Sequence, residues 1–245
     1  MEHAVVSQTE WLSARKALLA KEKQFTQERE ALAAQRRDLP WVKIDKPYVF
    51  DGPQGRETLA ELFAGKSQLI VYHFMLAPGW GEGCKSCSYL ADHFDGAIPH
   101  LAERDVTFAV ISRAPLAEIE AYKKRMGWKF KWLSSNKNDF NYDFKVSFPD
   151  NEVGQEGLYN FGTTKVYGDE MPGISVFTRN KAGEVFRTYS TYSRGLDTII
   201  GTYQLLDLVP KGRDEAALPF TMSWVKRHDE YEQAPVMAKA GCCCG

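Results

Sequence analysis

An α/β fold is the fold class that this chain of 245 residues predicts, on three features of its sequence. Gln68–Leu76 (QLIVYHFML) and Val106–Ile111 (VTFAVI) are almost continuously apolar and rich in β-branched and aromatic residues, as in strands buried on both faces of a sheet. Each is followed by a stretch with apolar residues at helical spacing: Tyr89, Leu90, Phe94, Ala97, Ile98 and Leu101 after the first, and Leu116–Met126 after the second. The alternation strand, helix, strand, helix points to parallel neighbours joined by right-handed crossovers. Gly173–Thr178 and Glu184–Ser190 then flank the turn Asn180-Lys181-Ala182-Gly183 and read as an antiparallel hairpin.

The remaining elements follow in chain order. Gln8–Asp38 contains neither Gly nor Pro and is built from strong helix formers, which predicts one long helix ended by Pro40. Trp11, Leu18, Phe25 and Leu32 recur every seven positions, a narrow apolar stripe expected to be covered by the chain's own domain or by a second copy in a homodimer. Trp41–Gly65 predicts a short extended pair around Gly52-Pro53-Gln54-Gly55 and a helical turn over Thr58–Phe63. Pro99 is expected to bend the helix after the first buried strand, and Phe130–Leu133 to form a short edge strand. Ser135–Glu170 reads as a long loop whose aromatic residues, among them Phe140, Tyr142, Phe144 and Phe148, suit a lid or pocket wall. Leu196–Leu208 predicts a final helix, and the chain from Lys211 reads as a partly ordered tail. The expected organisation is a helical arm over residues 1–40, a domain over 41–210 and an extension over 211–245.

Composition narrows the function. With 44% hydrophobic and 13% aromatic residues the chain is expected to fold, and a net charge of -1 offers no long-range field for nucleic acid or an anionic membrane. No run of eighteen apolar residues occurs, and the start MEHAVVSQTE lacks the pattern of an export signal, so the expected location is cytoplasmic. Five cysteines, at 84, 87, 242, 243 and 244, are too few and too clustered for a disulfide scaffold, which turns attention to thiol chemistry or metal binding.

Cys84-Lys85-Ser86-Cys87 stands where a buried strand leaves the sheet through a Gly/Trp loop and a helix begins. Unpaired N–H groups and the macrodipole at a helix start stabilise a thiolate, and Lys85 adds positive charge, so Cys84 is the expected nucleophile. Cys87, one turn on, is placed to resolve a mixed disulfide on Cys84. Pro172 directly precedes the strand GISVF, and a cis bond there would turn the backbone beside the dithiol. Trp80 in the preceding loop and Arg113 at the end of the second buried strand are candidates for a substrate groove, or else a shield for the dithiol and a cap for the strand. No cofactor is implied.

The order strand, Cys-x-x-Cys, helix, strand, helix, proline, hairpin, helix resembles the thioredoxin fold, here with a long N-terminal helix and a C-terminal tail. The runs WLSARKALLAKEK, LPWVKIDKPYVFDGP, QLIVYHFMLAPGWGEGCKSCSYLADHFDG, ISRAP, AYKKRMGW, DFNYDF, YSTYSRGLD and GTYQLLDL are similar to the bacterial domain-of-unknown-function family 899. That family is described as thioredoxin-like predicted dithiol-disulfide oxidoreductases, and the resemblance runs from about Trp11 to Tyr231. It implies thiol-disulfide exchange on a small-molecule or protein substrate through Cys84 and Cys87, with Lys85 standing where many relatives are expected to carry proline. Two other classes stay open on the residues alone. One is a peroxiredoxin-like thiol peroxidase, with one cysteine oxidised to a sulfenic acid and resolved by the other. The second is a non-catalytic metal- or partner-binding module, with His93, His100 or Cys242–Cys244 completing a zinc site; His73 reads as a hydrogen-bonded core residue.

Overall fold

A computed structural model describes residues 3–232. The chain divides into two compact units, one up to Val42 and one from Lys43. The first is α1 (Gln8–Arg37), as the composition predicts. A capping box opens it: the Glu10 N–H donates to the Ser7 hydroxyl, and the Ser7 N–H donates to the Glu10 carboxylate. Arg36 and Arg37 in its last turn complement the helix dipole. None of its residues is buried, and Trp11, Leu18, Phe25 and Leu32 are 51, 52, 62 and 46% exposed.

The second unit is built on one sheet. Its strands are β1 (Val42–Lys43), which reaches back across the boundary, β2 (Val49–Gly52), β3 (Gly55–Thr58), β4 (Gln68–His73), β5 (Val106–Ser112), β6 (Lys131–Ser134), β7 (Gly173–Arg179) and β8 (Val185–Tyr192). Among the described residues they run in the order β1-β8-β7-β4-β5-β6-β2-β3. Strands β4, β5 and β6 are parallel, whereas β7 is antiparallel to β4 and β8 to β7. The helices are α2 (Lys85–Ala91), α3 (Ile98–Glu103), α4 (Leu116–Met126), α5 (Phe140–Asp143) and α6 (Gly201–Leu206). A β4–helix–β5 crossover, then the β7–β8 hairpin and α6, with spatial order β8-β7-β4-β5, is the thioredoxin-like arrangement that the sequence predicts.

The near-continuous apolar character of β4 and β5 has a direct cause, since both faces of the sheet are covered. Alternate residues of each strand point to opposite sides. Tyr72, Phe108 and Val110 join Leu90, Phe94, Trp128 and Trp132 in one core, while Leu69, Val71, Ala109 and Ile111 join Phe140, Phe144, Phe148 and Phe177 in the other. Of the aromatic residues of the 135–170 segment, Phe140, Phe144 and Phe148 thus fill a core, while Tyr159 and Tyr167 line a cavity, as the expected pocket wall would.

Three further expectations are corrected. Strand β6 is interior to the sheet, because β5 pairs with one side of it and Asp51 of β2 with the other. The helix after β4 is interrupted instead of bent: α2 ends at Ala91, and α3 starts afresh with Pro99 in its first turn, where a missing N–H costs nothing. The final helix is a 3-10 turn over Ser193–Ile199 followed by the shorter α6. Residues 212–232, the described part of the extension, fold back onto the domain and bury Val225 and Arg227. Cys242–Cys244 lie outside the described residues.

A buried carboxylate helps to tie the long 135–170 segment to the sheet. Glu170, 1% exposed, receives the Nε–H of Arg113 and the Ser147 hydroxyl. A second Arg113 nitrogen donates to Asp169 at 2.9 Å, and the guanidinium lies over the Tyr142 ring. Arg113→Met leaves that carboxylate buried without its cation, and the expected loss in urea unfolding at neutral pH is about 3 kcal/mol. A loss below about 0.5 kcal/mol, the range of an ordinary surface substitution, would contradict this anchoring role.

Candidate active site

Backbone geometry delivers the two cysteines. After β4 the chain turns through Gly79 and Gly81, both at positive φ (80° and 68°), and reaches Gly83. A Cβ on Gly83 would stand 2.4 Å from the Phe74 ring and 2.7 Å from the Tyr122 ring, so only glycine permits this approach. The Cys84 N–H then donates to the Met75 carbonyl at 3.1 Å, and Cys84 becomes the N-cap residue of α2.

Both cysteines are free thiols, and their surroundings separate them. Cys84 is half-buried, while Cys87, one turn inside the helix, is 2% exposed. The Cys84 thiol is lowered to about 6, chiefly by a hydrogen bond from the Cys87 thiol. The N–H groups of Cys87 and Ser86 and the charge of Arg227 add to this, against burial. Cys87 is pushed well up by burial and by its neighbour Cys84, and its sulfur faces the Tyr72 hydroxyl, which has no oxygen or nitrogen partner. The charge of Arg227, which no local reading of Cys84–Cys87 anticipates, is brought to Cys84 by the C-terminal extension.

Arg227 also holds the backbone on both sides of Cys84. Its NH2 donates to the Gly83 carbonyl and its Nε to the Tyr122 hydroxyl oxygen, each at 2.9 Å. With its oxygen accepting from Arg227, Tyr122 donates to the Ser88 Oγ at 2.8 Å, and Ser88 donates to the Cys84 carbonyl at 2.8 Å. Every hydroxyl in this chain has one consistent direction, from guanidinium to carbonyl. Glu82 and Glu230 balance the buried charge. Sequence reasoning missed Arg227, Tyr122 and Ser88; the one signal pointing to Arg227 was that the family resemblance extended as far as Tyr231.

Cys84, Cys87 and Pro172 line a cavity of about 620 Å³ together with Tyr72, Tyr159 and Met222. Trp80 and Arg113 are not among its lining residues: Trp80 is 40% exposed, and Arg113 is engaged with Glu170. The Met171–Pro172 peptide is trans, not cis. Residues 169–171 run alongside 146–148, with Phe148 N–H on the Asp169 carbonyl and Met171 N–H on the Val146 carbonyl. The chain therefore enters β7 extended, without the reversal that a cis bond would serve.

His93 Nε2 accepts from the Thr202 N–H at 3.0 Å, His100 is exposed on α3, and His73 contacts Ser175 Oγ at 2.9 Å. Burial lowers His73 to about 3, so it is neutral. Among the described residues no three His, Cys, Asp or Glu side chains are grouped to hold a metal ion, and no helix is long and apolar enough to cross a membrane.

A family model described as "Bacterial protein of unknown function (DUF899)" matches residues 1–231. The chain belongs to this family. No curated protein matches this DUF899 member. Among solved structures it is similar to peroxidoxin BcpB from Mycobacterium tuberculosis, at 14% identity and TM-score 0.44, over 68% of this chain and 97% of the other. It is likewise similar to peroxiredoxin Q from Xanthomonas campestris (13%, 0.44, over 69% and 98%). A third is the mitochondrial 2-Cys peroxiredoxin from Plasmodium falciparum (14%, 0.41, over 67% and 92%).

Removing the Arg227 charge, as in Arg227→Met, is expected to raise the Cys84 thiolate transition by about one pH unit, followed by thiolate absorbance near 240 nm. Arg227→Lys retains the charge but not the two-pronged contact, and is expected to move it less. An unmoved transition in Arg227→Met would rule out the electrostatic role.

Proposed function

We propose that this chain exchanges disulfides through the Cys84–Cys87 dithiol. The observation that carries the reading is the split between the two thiols: one half-buried and ionised near neutral pH, the other buried and protonated one turn away. The Cys84 thiolate attacks one sulfur of a substrate disulfide, the substrate S–S bond breaks, and one half leaves as a thiolate that takes up a proton. Bonding Cys84 to the other half removes its negative charge, one of the causes that hold Cys87 protonated. Cys87 then loses its proton and attacks Cys84 Sγ, releasing the second half. Two electrons pass from the dithiol to the substrate, the two released thiolates take up the proton lost by Cys87 and one from solvent, the protein is left with a Cys84–Cys87 disulfide, and a dithiol reductant resets it. Pro172 belongs to the wall of this site, whereas Trp80 and Arg113 have no part in the reading.

Cys84→Ser is expected to abolish reduction of a disulfide substrate, and Cys87→Ser to stop turnover while accumulating a mixed disulfide on Cys84 that reductant releases, both followed by intact-protein mass. Full turnover by Cys84→Ser would refute the exchange. If wild-type protein consumes peroxide, with Cys84 as a sulfenic acid resolved by Cys87 with loss of water, and leaves disulfides untouched, the peroxidase reading replaces it.

A further inference from the structure

We infer that the substrate of this dithiol is a small, uncharged molecule with an apolar body, and not a disulfide carried on an extended polypeptide; the inference rests on the exchange reading above. Three observations carry it. First, the thiols stand in a recess of about 620 Å³, within the range of small-molecule sites and lined mainly by apolar and aromatic side chains such as Tyr72, Leu90, Ile200 and Phe220.

Second, the charges that line the recess are already paired. Arg213 binds Asp207 at 2.8 Å and Asp197 at 3.3 Å, and Arg194 binds Asp197 at 3.2 Å. Glu215 accepts from the Tyr203 hydroxyl, the Met222 N–H and the Trp224 indole. A charged substrate entering here would lose water and meet no unpaired counter-charge.

Third, backbone groups beside the dithiol that a peptide strand would use are occupied. An added strand is held by main-chain hydrogen bonds. The Met171 N–H is bonded to the Val146 carbonyl at 2.8 Å, and Pro172 has no N–H. The Tyr159 hydroxyl donates to the Pro172 carbonyl while accepting the Ser193 N–H at 2.8 Å, so this carbonyl is turned inward.

The test compares reduced full-length protein with neutral 2,2′-dipyridyl disulfide, the dianion 5,5′-dithiobis(2-nitrobenzoate) and insulin, each rate divided by that of dithiothreitol with the same compound. The neutral aromatic disulfide is expected to lead both others by about tenfold. Thr221→Trp, which fills the recess from the C-terminal extension, is expected to slow the neutral disulfide by about fivefold while iodoacetamide alkylation of Cys84 stays within about twofold. A normalised lead of less than about threefold, or a Thr221→Trp variant as fast as wild type, overturns the inference. Failure of every disulfide to oxidise the dithiol, with iodoacetamide still reacting, would instead bring down the exchange reading itself.

Discussion

A guanidinium withdrawn from water decides where the dithiol stands. Arg227 is a residue of the C-terminal extension, yet its two contacts, to the Gly83 carbonyl and through Tyr122 and Ser88 to the Cys84 carbonyl, bracket the Cys84 backbone. Burying a cation is costly unless it is both paired and hydrogen-bonded. Glu82 and Glu230 supply the pairing and the loop carbonyl supplies the bonding, so the loop, α2, α4 and the extension become one structure around Cys84.

The same arrangement explains why two cysteines three residues apart behave differently. A helix start offers N–H groups to the first sulfur, and the neighbouring thiol donates to it as well. The second sulfur, deeper in the core formed by Tyr72, Leu90 and Tyr203, meets mainly the cost of carrying charge in an apolar setting. Each thiol's protonation state supports the other's. Under the proposed exchange, loss of the charge on Cys84 lowers the cost of ionising Cys87.

Much of this was legible in the sequence, for physical reasons that differ by element. Strands β4 and β5 announce themselves because burial on both faces leaves no polar alternation, and α1 because thirty residues without a breaker can form little else. The setting of Cys84 and Cys87 between a buried strand and a helix was legible as well. What was hidden depends on tertiary pairing. The interior position of β6 follows from β2 docking beside it, and Arg113 looked available for substrate because Glu170 is fifty-seven positions away. Arg227 lies in a segment without apolar periodicity, since its burial rests on hydrogen bonds. Pro172 lines the same cavity as the two cysteines, and its trans bond follows from the pairing of 169–171 with 146–148, which no local pattern encodes.

The central claim is the division of labour between the two sulfurs, and the most direct measurement is the pH dependence of alkylation at each cysteine in fully reduced protein, resolved by peptide mass. The account predicts that Cys84 reacts with a midpoint near 6 and that Cys87 stays protected through neutral pH. Equal reactivity of the two, each rising at the ordinary thiol value of about 8.5, would contradict it.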